Sequence, residues 1–131
     1  LTTYSFSIPG EPIAKSRPRA RMYEGHVYFY NEKDITLYEK KIKEIAKTHI
    51  PNPSIRPISL ILVFHIKKPK TVKRLYPTVR PDLDNYEKSI LDALNGVAYK
   101  DDAQVVTVLK SKQYTENEEP NVEIHITEFP I

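Results

Sequence analysis

Cysteine is absent from the 131-residue chain, which removes disulfides, thiolate catalysis and cysteine-ligated zinc sites and fits a reducing compartment, the cytoplasm by default. Glycine is nearly absent as well. Gly10, Gly25 and Gly96 are the only three, so neither a P-loop nor a dinucleotide fingerprint can be written and nucleotide-cofactor enzymes drop out. No apolar run approaches the roughly 20 residues of a membrane span, and the first residues, Leu1 to Ser7, alternate rather than form a signal-peptide core. No membrane partner is expected. The length predicts one domain over residues 1–131, large enough for a single unstapled core.

What charge there is sits unevenly. The net value is +3, but Lys15, Arg17, Arg19 and Arg21 cluster near the start, and Lys67, Lys68, Lys70, Lys73, Arg74 and Arg80 form a second group with no acid among them. Glu116, Glu118, Glu119, Glu123 and Glu128 crowd the other end, which has no Lys or Arg after Lys112. Such segregation suits a phosphate-facing side, and all ten basic residues are candidate DNA contacts; equally, lysine-rich connections occur as plain solvated loops.

Periodicity predicts an α/β domain. Tyr4, Phe6 and Ile8 alternate with serines, as in a half-buried strand ended by Pro9-Gly10. Residues 10 to 22 read as a basic loop restrained by Pro12 and Pro18, and His26 to Tyr30 as a short extended piece. A helix capped by Asn31 or Asp34 runs to about His49, with Ile35, Tyr38, Ile42, Ile45 and Ala46 on one face, and Pro51-Asn52-Pro53 stops it. Ile58 to Ile66 reads as a central strand covered on both faces. A second helix spans about Asn85 to Asn95, a strand follows over Ala103 to Tyr114, and Asn121 to Phe129 alternates cleanly after a hairpin connection through Thr115 to Pro120. The expected architecture is a mixed, largely antiparallel four-stranded sheet with two main helices packed on one face.

The stretch from Arg80 to Val106, RPDLDNYEKSILDALNGVAYKDDAQVV, looks built for chemistry. Asp82 and Asp84 precede the second helix, Lys88 follows one turn later, and Asp101-Asp102 arrive after the helix ends. A helix of this length carries the chain roughly 16 Å, and residues 96 to 102 span roughly 20 Å when extended, so the second acidic pair has the reach to return beside the first. Tyr86, Ile90, Ala93, Leu94 and Val97 share one helix face, leaving Lys88, Asp92 and Asn95 opposite. Structural readings stand alongside. Asp84 with Glu87 matches an N-cap with its capping-box partner, Asp101-Asp102 a turn before a strand, and Lys88 with Asp92 an i,i+4 surface pair. Asp82 is less easily absorbed, because a second carboxylate two residues from a cap adds repulsion unless a cation offsets it. Carboxylates from two segments near a lysine suit a Mg²⁺ site in phosphoryl-transfer chemistry.

These residues carry a family resemblance. The run DLDN-x-x-K followed by DDAQVV resembles the signature of the RusA-type Holliday junction resolvases, and Pro9 to Arg19, PGEPIAKSRPR, resembles the opening of members from Gram-positive bacteria and their prophages. By that resemblance Asp82, Asp84 and Asp102 are the metal-binding catalytic aspartates, Lys88 the catalytic lysine, and Asp101 the less critical first member of the acidic pair and a further metal ligand. The resemblance implies a Mg²⁺-dependent endonuclease, with Mn²⁺ as a substitute ion, that acts on branched DNA as a homodimer. Lys67 to Val79 is longer and more basic than the family pattern leads one to expect. His26, His49, His65 and His125 share no metal-type spacing, and Tyr23, Tyr28 and Tyr30 suit either base stacking or packing. Two other readings remain open from the residues: a non-catalytic module binding branched or single-stranded DNA, and a nuclease acting mainly on flaps, forks or RNA.

Overall fold

Alternating apolar residues put one face of every strand against the helices. The computed structural model describes residues 1–16 and 32–131, arranged as β1 (Thr2–Pro9), α1 (Glu32–His49), β2 (Ile58–Lys67), α2 (Leu83–Leu94), a 3₁₀ turn (Asp102–Gln104), β3 (Val105–Thr115) and β4 (Asn121–Glu128). The expected short extended piece from His26 to Tyr30, and the expected contacts at Arg17, Arg19 and Arg21, lie outside the described residues.

The four strands form one mixed sheet in the order β1-β4-β2-β3, with β4 antiparallel to both β1 and β2 and with β2 parallel to β3. Register lines up rows across it. Ile8, Val122 and Phe64 face Lys112, and Phe6, Ile124 and Leu62 face Lys110. The apolar members of these rows are buried, as are Tyr38, Ile42 and Ala46 of α1 and Tyr86, Ile90, Ala93 and Leu94 of α2. Both helical faces are therefore the ones their periodicity predicts, and the sheet takes its cover on one side. Among the described residues no helix is long and apolar enough to cross a membrane.

Three expectations are corrected. β2 is not covered on both faces: Ile58, Leu60, Leu62 and Phe64 are fully buried, whereas Ile61 on the other face is 40% exposed. Nor is β3–β4 a hairpin. β4 inserts between β1 and β2, leaving β3 on the edge; residues 116–120 cross the end of β2, a gap of two strand spacings or about 10 Å, within the roughly 17 Å they reach when extended. The physical reason lies in side-chain content, because Val122, Ile124 and Ile126 need neighbours on both sides, while β3 carries lysines on its inner face and tolerates an edge. Finally, α2 begins before Asp84. Its cap position is Asp82, whose side chain makes no capping hydrogen bond, and Asp84 falls in the first turn. Pro81 suits the extended entry to a helix, and the carboxylates at both positions favour its positive end.

The helices are tied at their far ends. Lys43 of α1 donates to the Ala93 carbonyl, 2.9 Å away, at the C-terminal end of α2, where a cation complements the helix dipole. Past the cap at Asn95, Gly96 turns the chain at φ +80, a conformation that favours glycine.

Candidate active site

The acidic motif is built onto α2 from three directions. From the N-terminal side, Lys15 donates its backbone N–H to the Asn85 carbonyl at 2.9 Å, and the fully buried Ser89 hydroxyl donates to the Ile13 carbonyl at 2.6 Å. Residues 13–15 therefore lie along the helix. Ser89 lies outside the residues that the motif marks; a serine on the apolar side of an amphipathic helix is the signal that points to such an anchor.

From the sheet side, Lys112 of β3 donates to the carbonyls of Val79 and Pro81, at 2.8 and 2.9 Å. These flank the cis Arg80–Pro81 peptide and lead directly into Asp82. Burial pushes the Lys112 ammonium down from its ordinary pKa, an effect that the negative charge of Asp82 opposes. Lys110, two residues earlier, pairs with Glu87 at 3.3 Å. Glu87 is thus occupied by the sheet and not by a capping box.

From the C-terminal side, the Asp101-Asp102 turn is fixed before β3 starts. Asp101 accepts from the Ala103 N–H at 3.1 Å, and its own N–H donates to the Gln104 side chain at 3.0 Å, forming a capping box. The Gln104 amide then donates to the carbonyls of Ser54 and Arg56, at 2.8 and 3.0 Å. Ser54 also exchanges backbone hydrogen bonds with Ala98 and Lys100. Gln104 is a positioning residue missed from sequence, although a glutamine three residues after an aspartate is a capping-box signature.

Between α2 and this turn lies Tyr99, fully buried, its hydroxyl donating to the Leu91 carbonyl at 2.8 Å. Burial pushes its phenol pKa up, and the charges of Asp102, Asp92, Asp101 and Glu87 push it further. The second acidic pair therefore does return to α2, and the 3₁₀ turn that begins at Asp102 packs against the helix. Asp82 sits at the helix start. Among the described residues no three His, Asp or Glu side chains stand close enough to hold a metal ion together.

Lys88 takes the i,i+4 position expected for it, with its ammonium 3.1 Å from Asp92. Asp92 is bridged in turn to Lys15 at 2.9 Å, and Lys15 to Glu39 of α1 at 2.8 Å. The candidate DNA contact Lys15 is thus engaged within the fold. In the second basic group, Lys68 pairs with Glu116 at 3.0 Å, Arg74 donates to the Tyr114 hydroxyl at 2.9 Å, and the Lys67 N–H reaches Glu11 at 3.4 Å. Burial raises the Glu11 pKa, against the lowering effect of Lys67. Lys70, Lys73 and Arg80 are exposed. Of the histidines, His65 pairs with Glu123, His125 with Ser5, and His49 stacks on Phe6.

The donor chemistry suits a hard divalent cation. Every candidate ligand is a carboxylate oxygen, Asp82 is not used as a helix cap, and Mg²⁺ commonly takes only one or two carboxylates and completes its shell with water and substrate phosphate. A separated acid set fits that habit better than a ready-made cage.

Comparison with known proteins bears directly on this arrangement. The family model for endodeoxyribonuclease RusA matches residues 9–127. The chain belongs to the RusA family. The match takes in the N-terminal segment docked on α2, both acidic pairs and the basic connection between β2 and α2. Among relatives of the chain, the uncharacterized protein YqaN of Bacillus subtilis (strain 168) is 36% identical over 136 residues, covering 94% of each chain. A crossover junction endodeoxyribonuclease, rusA, of Lactococcus phage r1t is 26% identical over 133 residues, covering 95% of this chain and 96% of the phage protein.

Proposed function

We propose that this protein is a Mg²⁺-dependent, structure-specific DNA endonuclease of the cytoplasm that resolves Holliday junctions by paired symmetric nicks, in DNA recombination and repair, with Mn²⁺ as a substitute ion. The observation that carries the reading is the RusA family match across residues 9–127, which includes an Asp82 carboxylate that makes no capping hydrogen bond at the start of α2. Asp82, Asp84 and Asp102 would hold the ion, with Asp101 at the margin because its carboxylate already caps the following turn. When bound, the ion lowers the pKa of the attacking water and neutralises charge on the scissile phosphate. Water adds to phosphorus, one P–O ester bond breaks, and the departing sugar oxygen takes a proton. Lys88 stabilises the developing charge or positions the water, once substrate phosphate competes with Asp92 for its ammonium.

Because the acids form no ready cluster, metal affinity in the free protein is weak and rises when phosphate joins the shell. Two symmetric nicks need two sites, so the working unit is a C2 homodimer. β4 is flanked by β1 and β2 and has no free edge to offer a second copy.

The test is cleavage of a synthetic four-way junction with and without Mg²⁺ by the wild type and Asp82→Asn, with binding followed by gel shift and with flap and fork DNA as competitors. Symmetric Mg²⁺-dependent nicks, lost in the variant while binding persists, are expected. Binding without cutting under any metal points to a non-catalytic module, and preferential cutting of flaps or forks to a different substrate. A single-subunit mass in light scattering at micromolar concentration overturns the dimer.

A further inference from the structure

The connection from β2 to α2 ends in an apolar tip that packing does not use. Leu75 is 77% exposed and Tyr76 is 68% exposed, with Val79 at 48%. Solitary exposed apolar residues need no explanation, but these two are adjacent and held at both ends. On one side, the Arg74 guanidinium donates to the Tyr114 hydroxyl at 2.9 Å and lies 5.8 Å from the centre of its ring. On the other, Lys112 holds the Val79 carbonyl, and the Thr78 N–H donates to the Tyr76 carbonyl at 2.9 Å in between. The segment therefore presents Leu75 and Tyr76 on a fixed mount a few residues ahead of Asp82.

Charge around the tip is of two kinds. Lys70, Lys73 and Arg80 are exposed in the same segment and suit phosphates on either side. The open hollow beside Leu75, about 460 Å³, is lined in part by Tyr114, Glu116, Asn117 and Glu118. Lys68 also lines it and is paired with Glu116, while the side-chain oxygens of Asn117 and Glu118 suit the exocyclic amino groups of bases as hydrogen-bond acceptors. Basic flanks around an aromatic and aliphatic tip match the chemistry of an unstacked nucleobase with its backbone on either side.

We propose that Leu75 and Tyr76 form a nucleobase platform that takes an unstacked base at the branch point of the DNA. The inference rests on the branched-DNA reading above. Stacking is interrupted where the arms of a junction meet, so a base is taken there at lower cost than from a continuous duplex.

The test uses the full-length protein without divalent metal, so that no cutting is required. Affinities for a four-way junction and for a duplex of the same sequence are compared for the wild type, Leu75→Ala, Tyr76→Ala and Tyr76→Phe. Each junction is also made with an abasic site at each nucleotide flanking the crossover in turn. Tyr76→Ala is expected to lower junction affinity by roughly tenfold, within the range for loss of one base–aromatic stack, with duplex affinity little changed and Tyr76→Phe close to wild type. At one flanking position, the abasic junction costs the wild type a similar factor and costs Tyr76→Ala nothing further, the non-additivity of a shared contact. Wild-type junction affinity in both alanine variants, or strictly additive abasic and Tyr76→Ala losses at every position, overturns the platform. If the wild type binds junctions in this pattern but never cuts them with Mg²⁺, the endonuclease reading fails and the platform stands. If it cuts them and the alanine variants bind normally, only the platform fails.

Discussion

Lys112 donates to the Pro81 carbonyl across 2.9 Å, so the residue preceding Asp82 is held by the edge strand of the sheet. Its second bond, to the Val79 carbonyl, makes one ammonium the clamp on the whole approach to α2. Lys112→Met keeps the stem and removes both bonds. A hydrogen bond to a charged group contributes about 1.5–3 kcal/mol, less where water can replace it, and these carbonyls lie near the surface. A loss of about 1–2 kcal/mol in urea unfolding is expected, with cleavage rate at saturating DNA reduced more than DNA affinity. Unchanged cleavage in a variant destabilised by that amount would mean that the clamp serves folding alone.

Gln104 does the corresponding work for the second acidic pair. Its amide nitrogen serves the carbonyls of Ser54 and Arg56 while its oxygen accepts from the Asp101 N–H. Gln104→Glu keeps the acceptor and removes both donations, putting a negative charge beside two carbonyls. A destabilisation of about 1–3 kcal/mol is expected, as for stranded hydrogen-bond partners, together with a fall in cleavage while junction binding persists. A Gln104→Glu protein that unfolds at the wild-type midpoint contradicts this.

Element types and the buried faces of the two helices were legible because they rest on local periodicity. Tyr86, Ile90, Ala93, Leu94 and Val97 are buried as their spacing predicts, and Lys88 meets Asp92 at i,i+4. Strand order was not legible, since alternation along a strand tells which of its faces is apolar but not which strand lies beside it. The short connection over residues 116–120 favoured a hairpin, and only the demand of Val122, Ile124 and Ile126 for neighbours on both sides places β4 inside. For the site, the sequence offers candidate acids and the span needed to bring them together, but not the contacts that fix the Asp101-Asp102 turn, which run through Gln104 to Ser54, 50 residues away in the chain. Lys112 escaped notice because a lysine on a strand reads as solvent-facing until the edge position of β3 is known.

The two members of the second acidic pair are expected to separate cleanly. Asp101 accepts the Ala103 N–H as a cap, so Asp101→Ala should cost about 1 kcal/mol of stability, as is typical for a lost cap, and leave most cleavage intact in Mg²⁺. Asp102 makes no such bond in the capping box. Asp102→Asn should therefore unfold like the wild type and lose cleavage by a factor of a hundred or more, on the order of 3 kcal/mol in the barrier. Junction-cleavage rates and urea midpoints for both variants check this, and equal effects on the two rates would refute the division.

The Lys15–Asp92–Lys88 bridge should be visible in the pH dependence of stability. Burial pushes the Asp92 carboxyl up, but the hydrogen bonds and charges of Lys15 and Lys88 outweigh it and hold the group below its ordinary value. Lys15 moves the opposite way: burial lowers its pKa, while Glu39 and Asp92 raise it to a net upward shift. A carboxylate depressed in the folded state contributes stability above its unfolded pKa and loses it as the pH falls through the folded one. A raised lysine contributes fully below its unfolded pKa and loses it as the pH rises through the folded one. The bridge is therefore at full strength between the ordinary carboxylate and lysine ranges. Asp92→Asn should cost about 0.5–1 kcal/mol near neutrality, as for a largely shielded ion pair. That difference should shrink towards zero as acid protonates wild-type Asp92 below the ordinary carboxylate range. Urea unfolding of both proteins at a series of pH values measures it, and a gap that stays constant into acid would assign the effect to side-chain packing instead of charge.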